Sequence, residues 1–375
     1  MRVDRRGFLK ATALGAAALP VAAVEPDNRV VLDLEPTPEN PRNSEGAFAT
    51  LRSGRVVFFY SQFYGGAHDN SPARIAAIHS DDQGRTWSAP RVVEENAGRE
   101  NVMSVSLLRL AAGRLAFFYC LTNDLSDARP RLRLSGDEGA TWSEPKLVIG
   151  APGYFVLNND RVVQLRSGRL VVPVAYHRMN GPDPGNYNSF DRRAVALWYL
   201  SDDEGATWRE SADWWAIPVR STSGLQEPGV VQLADGRLFC WARTDQGAQY
   251  GMFSEDDGNT WSAPAPTPLR SPTSPASIKR LPGSSDLLAV WNDHSGAFPF
   301  VEKKRTPLVC AISADNGVTW TKRKLLEPDP DGWYCYTAIH FVGDAVLLAY
   351  CAGDPKVGGL NRLRIRRVAL DLLRQ

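Results

Sequence analysis

The sequence predicts an all-β propeller built from six radially repeated units, and three observations carry that expectation. The pattern Ser-x-Asp-x-Gly-x-Thr-Trp occurs five times, at Ser80, Ser135, Ser201, Ser254 and Ser313, with starts 55, 66, 53 and 59 residues apart. A second pattern, Gly-Arg before an apolar run, recurs at Gly54-Arg55, Gly113-Arg114, Gly168-Arg169 and Gly236-Arg237, and two further runs from Asp286 and Asp344 continue the series without it. Helical periodicity is nearly absent, whereas short β-branched and aromatic runs bounded by Gly and Asp are strand signals. Repeats at this spacing protect their sheet edges by closing radially.

Within a unit the order reads strand, tight turn, strand, loop, strand, Asp-containing turn, strand. In each box the Asp carboxylate accepts bonds from turn amides, the Gly takes a positive φ, and the Thr-Trp pair opens the next strand with its indole as a packing wedge. The box aspartates are therefore assigned to turns and not to chemistry. The sixth unit has no box. The early strand Val30 to Leu34 is expected to join the strand Leu363 to Val368 in that last blade and so close the ring.

Composition narrows the function classes. The 375 residues are 43% hydrophobic, enough for a large core and against disorder. With 43 Lys+Arg against 42 Asp+Glu the formal charge is +1, so no global field recruits nucleic acid or anionic lipid. Cys120, Cys240, Cys310, Cys335 and Cys351 are odd in number and widely spaced, without a CxxC pair, and read as buried thiols; no metal and no cofactor are expected.

Asp4-Arg5-Arg6-Gly7-Phe8-Leu9-Lys10, the apolar run Ala11 to Leu19 and the small residues Val21-Ala22-Ala23 read as a twin-arginine export signal over 1–23. The expectation is an exported monomer, periplasmic or extracellular, with one propeller domain over 24–375. No other stretch approaches the ~18 apolar residues of a membrane span.

The segments entering each first strand and leaving each second strand should line one pocket on the propeller axis. Those positions carry Arg42, Glu45, Gln62, His68, Asp69, Asn159, His177, Glu227, Arg243, Asn292, His294, Arg305, Tyr334 and Tyr336 among their polar residues. So many directional partners suit a hydroxyl-rich ligand, a glycan or a small sugar acid.

The five boxes resemble the bacterial neuraminidase repeat of sialidases, over nearly all of the chain after residue 23. That resemblance implies a six-bladed propeller of four-stranded antiparallel blades and brings expectations for the site. Sialidases hold a substrate carboxylate with three arginines: Arg42, Arg243 after Gln226-Glu227-Pro228-Gly229, and Arg305 in Lys304-Arg305-Thr306-Pro307 resemble them. Tyr334-Cys335-Tyr336-Thr337 resembles the stretch bearing the nucleophilic tyrosine, which makes Tyr336 the nucleophile, Glu227 its base and Asp69 the acid/base. Sialidases are a named exception to the two-carboxylate scheme of glycosidases. The sequence departs from the family in two places: Arg42-Asn43-Ser44 replaces Arg-Ile-Pro, placing Glu45 close to Arg42, and Gln62 stands where a further arginine is usual.

The implied activity is exo-acting hydrolysis of a terminal acidic sugar, sialic acid or a relative. Two other readings stay open: a lyase or hydrolase of uronic-acid glycans using Tyr336 with His177 or His294, and a carbohydrate-binding propeller without turnover.

Overall fold

Each box closes on itself by short-range bonds. Asp82 accepts from the amides of Arg85 and Thr86, both at 2.9 Å, and from the Thr86 hydroxyl at 2.7 Å. Gln83 and Gly84 take left-handed φ values of 59° and 82° to make the turn. Asp137, Asp203, Asp256 and Asp315 repeat the pattern. The hydrogen bonds from Thr141 hold the Asp137 carboxyl down at about 2, so it is ionised and committed to its turn.

The computed structural model describes residues 28–375; the segment 1–23 assigned to export lies outside the described residues. Blade I runs Arg42–Thr50, Val56–Phe63, Ala73–Ser80, Arg91–Glu94, each strand antiparallel to the next. Blade II runs Asn101–Arg109, Leu115–Asp124, Asp127–Ser135 and Lys146–Leu147. Blade IV runs Gln226–Gln232, Leu238–Arg243, Ala248–Ser254 and Ala265–Arg270, and blade V runs Ser277–Arg280, Leu287–Asn292, Leu308–Ser313 and Thr321–Glu327. Blade VI takes Trp333–Val342, Ala345–Gly353 and Leu363–Ala369 from late in the chain, and its outer strand is Asn28–Leu34. The expected closure is thus present: Asn28 to Leu34 pair antiparallel with Val368 to Leu363.

The core lies between blades. Six clusters lie between successive blades; one joins Phe48, Phe58 and Tyr60 of blade I to Leu347 and Ile365 of blade VI, which completes the circle. The box tryptophans Trp87, Trp142, Trp208, Trp261 and Trp320 each pack into the cluster between their own blade and the preceding one. Blade VI has no box. The gap between blades V and VI is filled instead by Leu370 and Leu373 of the short helix Leu370–Arg374.

Blade III departs from the expected four-strand order. Its innermost part is split into Gly153–Val156, which pairs in parallel with Asp127–Ser135 of blade II, and the two-residue strand Val163–Gln164. The cause is the polar run Asn158-Asn159-Asp160-Arg161, whose groups bond to neighbouring inner strands and not to a ladder: Asp160 N–H to the Val105 carbonyl at 2.9 Å, Arg161 N–H to the Ser106 hydroxyl at 2.9 Å. Blades II and III consequently form one continuous nine-stranded sheet.

The inner strands of blades I, II, IV and VI each break register once, between Ser44/Ala47, Met103/Ser106, Gln226/Gly229 and Cys335/Ala338. Each bulge contains one left-handed residue that is not glycine: Glu45, Ser104, Glu227 and Tyr336, with φ of 51°, 59°, 50° and 59°. Such backbone costs on the order of 1–3 kcal/mol per residue and re-aims the side chain out of strand alternation. All four of these residues line the same cavity.

Candidate active site

The cavity at the mouth of the inner strands has a volume of about 110 Å³. Its reactive wall comes from the bulges. The Tyr336 hydroxyl donates to Glu227 Oε1 at 3.2 Å, and Arg243 Nη1 donates to the same oxygen at 2.7 Å while lying 3.3 Å from the Tyr336 hydroxyl. Glu227 and Arg243 reach each other because their strands pair in register, Gln226 opposite Arg243, at the mouth end of blade IV. Arg305, on the segment entering the third strand of blade V, lies over the Tyr336 ring at 5.4 Å and the Trp333 ring at 5.3 Å. Burial and the Glu227 carboxylate push the Tyr336 phenol well above its ordinary range, against the pull of Arg305 and Arg243. A phenol raised in this way can react as a nucleophile only with a base in contact, and the carboxylate in contact with Tyr336 is Glu227.

Blade I supplies the opposite wall. Arg42 is 1% exposed and donates from Nη1 to Asp69 Oδ1 at 2.6 Å, from Nε to the Ser44 hydroxyl at 3.0 Å and from Nη2 to Glu45 Oε2 at 3.4 Å. Burial works against its charge, but the Glu45 and Asp69 carboxyl groups outweigh that and hold Arg42 above its ordinary value. Glu45 is the counterpart: burial pushes its carboxyl up to about 8, with Arg42 pulling the other way and Asp69, Glu227 and Cys335 adding to the rise. Asp69, whose side chain is 60% exposed, stands at the rim.

The structure thus brings Tyr336, Glu227, Arg243, Arg305, Arg42, Glu45 and Asp69 around one space. The other positions picked from the sequence take up supporting places. Gln62 accepts from Arg74 Nε at 3.0 Å within blade I, and His68 is an exposed turn residue whose N–H bonds the Ser71 hydroxyl. Asn159 donates to the backbone carbonyls of Tyr336 and Gly46. His177 stacks on Phe190 and bonds the Asp191 carbonyl through Nδ1 at 3.0 Å; burial lowers its pKa. Asn292 and His294 bond the carbonyls of Pro307 and Thr306, bracing the segment that carries Arg305. Tyr334 lies in the core between blades V and VI.

Tyr154 lines the cavity and was not singled out by sequence reasoning. Asn158, and not its neighbour Asn159, also lines it, with its Nδ2 unpartnered among the described residues. Arg161 was missed as well: it is buried, with Nη2 on the Ala276 carbonyl at 2.7 Å and its guanidinium over Trp241. The only available signal was its place in the polar run that interrupts blade III. All five cysteines are free and buried, and among the described residues no cluster of His, Cys, Asp or Glu is arranged to hold a metal ion.

Comparison with known proteins adds a family to this geometry. The model of the BNR repeat-like domain matches residues 59–348. The sialidase of Micromonospora viridifaciens is 26% identical over 328 residues, which is 78% of this chain and 47% of that protein. The sialidase of Clostridium perfringens is 26% identical over 240 residues, covering 56% of this chain and 58% of that one. The chain therefore spans about half the length of the curated relatives it matches.

Among solved structures, a Hadza microbial sialidase superposes with a TM-score of 0.70 at 20% identity, covering 89% of this chain and 67% of that one. A Dyadobacter fermentans protein of unknown function gives 0.71 at 17% identity, with 92% of this chain and 100% of that chain covered. These structural likenesses establish the fold, the sialidase propeller.

Proposed function

The chain belongs to the BNR repeat-like family of the sialidase superfamily, and from that premise we propose that it is an exo-acting glycoside hydrolase that releases a terminal acidic sugar, sialic acid or a close relative. The observation that carries this reading is the Tyr336–Glu227–Arg243 contact set in a small cavity beside Arg305. Elsewhere along the inner strands, bonds cross between blades, including Lys279 Nζ to Asp160 at 2.7 Å and the Ser277 hydroxyl to the Thr337 carbonyl at 2.5 Å.

In the first half-reaction the Tyr336 oxygen bonds to the anomeric carbon as its proton passes to Glu227. The glycosidic carbon–oxygen bond breaks, and the departing oxygen takes a proton from the Asp69 carboxyl. In the second, a water gives a proton to Asp69 and its oxygen replaces the tyrosine on the anomeric carbon, while Glu227 returns the proton to the phenolate. A phenol is a sensible nucleophile toward a centre flanked by a carboxylate, because it avoids bringing a second anion to it. Arg305 and Arg243 stabilise both that carboxylate and the developing phenolate. In the resting geometry Arg42 holds Asp69, so the arriving leaving group must loosen that contact before Asp69 can carry the proton.

The lyase reading finds no support in the site, since neither His177 nor His294 lines the cavity. The twin-arginine pattern places the reaction outside the cytoplasm in this proposal. A fluorogenic aryl sialoside tests the reading directly. Turnover that Asp69→Asn retains on the activated aryl glycoside and loses on a natural sialoside supports it, since only the natural leaving group needs the proton. No turnover of either substrate by the parent protein would leave the binding-propeller reading in its place.

A further inference from the structure

Arg42, Arg243 and Arg305 each contact residues that line the cavity, but they are not equivalent, and the difference lies in Glu45. Arg42 has no free donor edge: Ser44 occupies Nε, Asp69 and the Ala67 carbonyl occupy Nη1, Glu45 faces Nη2, and the Phe63 ring covers one face at 4.4 Å. A guanidinium binds a carboxylate strongly by presenting two parallel N–H groups, and Arg42 has no such pair to offer. Arg243 keeps Nε without a partner among the described residues, and Arg305 meets Tyr336 and Trp333 through its face and forms no ion pair with a described carboxylate.

Glu45, by contrast, lines the cavity together with Tyr336 and Glu227, and like them it is turned inward by a left-handed bulge. Strain of that kind persists where the surrounding structure enforces it. The charges agree with this division. Arg42 is engaged by Asp69 and Glu45 and Arg243 by Glu227, so of the three only Arg305 has no carboxylate paired with it among the described residues. At neutral pH the buried Glu45 carboxyl retains its proton and is able to donate as well as accept, which suits a hydroxyl or amide group.

We propose that Glu45 is a specificity-determining residue: it caps Arg42 and presents its own carboxyl to a hydroxyl or amide group of the bound sugar, leaving the sugar's carboxylate to Arg243 and Arg305. The inference rests on the acidic-sugar reading above and deepens it, naming a substrate with one carboxylate at the blade IV–V side and a hydrogen-bonding substituent at the blade I side.

The test compares two probes, 2-deoxy-2,3-didehydro-N-acetylneuraminic acid and its methyl ester, which differ only in the carboxylate. Binding of each is measured by calorimetry to the parent, to Glu45→Ala and to Glu45→Gly, the glycine fitting the φ of 51° without steric cost. With the cap removed, Nη2 of Arg42 is freed for the carboxylate beside an Nε held only by the rotatable Ser44 hydroxyl, and the preference for acid over ester should rise at least tenfold in either folded variant, while the ester itself binds no better. A preference that stays constant or falls, with the parent binding the acid, overturns the role of Glu45 and leaves the acidic-sugar reading standing. Failure of every form to bind the acid overturns both.

Discussion

The side-chain amide of Asn159 donates to the backbone carbonyl of Tyr336 at 3.0 Å and to that of Gly46 at 2.9 Å, so one buried amide ties blade III to the bulges of blades VI and I. It holds the two strained segments that aim Tyr336 and Glu45. Asn159→Ala should lower kcat by about 10- to 100-fold with KM changed by less than about threefold, because a misplaced reacting group costs rate more than binding. Steady-state kinetics on an aryl glycoside check this; a rise in KM at constant kcat would mark Asn159 as a substrate contact instead. Urea denaturation should also register a loss of about 1–3 kcal/mol for the orphaned carbonyls.

Tyr336 and Glu227 should fail together. Tyr336→Phe and Glu227→Gln are each expected to reduce kcat by roughly 10²- to 10⁴-fold, and the double variant should be within a few-fold of the poorer single one, since groups acting as one unit are strongly non-additive. Losses that multiply would separate the two residues' roles.

Glu45 also leaves a mark on stability. Its carboxyl rises from an ordinary 4.5 to about 8 in the folded protein, so folding favours the protonated form. That contribution is fully present below about pH 4.5 and is lost as pH rises to about 8. Glu45→Gln cannot ionise, so melting temperatures of variant and parent should diverge in the variant's favour from pH 5 to pH 8. Parallel curves would mean that Glu45 is ionised throughout.

The helix that replaces a sixth box tryptophan should matter as much as a core strand. Leu373 is 1% exposed between blades V and VI, and Leu373→Ala should cost about 2–5 kcal/mol in chemical denaturation. Val318→Ala, at a position 64% exposed in the fifth box, should change stability by less than about 0.5 kcal/mol.

The boxes were readable because their physics is local: an aspartate and the amides it binds lie within a few residues of each other. Blade number followed from the five boxes together with the recurring apolar runs, the last of which has no box, and ring closure from the early strand Val30 to Leu34. The split of blade III was not readable, because it depends on where Asn158 to Arg161 find partners on other blades. In the site, Tyr334 and Tyr336 are two apart and would face the same side of a regular strand; the bulge after Cys335 sends Tyr334 to the core and Tyr336 to the cavity. Asn158 reaches the cavity while its neighbour Asn159 turns against backbone, and a run outside any strand carries no period that would say which. Gln62, Asn292 and His294 sit at strand mouths as expected, but their partners are neighbouring side chains and carbonyls, and nothing in a linear sequence separates a brace from a contact.

Blade VI carries Tyr336 on its inner strand and the early strand Asn28–Leu34 on its outer edge, held by the two-pronged grip of Arg364 on Asp33 at 2.8 and 2.9 Å. The tyrosine's scaffold is therefore assembled from segments that lie far apart in the chain. The boxes can turn on contacts within a few residues, whereas the sheet beneath the phenol needs Asn28–Leu34 and Leu363–Ala369 to meet. The surroundings of Tyr336 are therefore complete only when the circle locks, because its sheet and the facing Arg42 wall both depend on that closure.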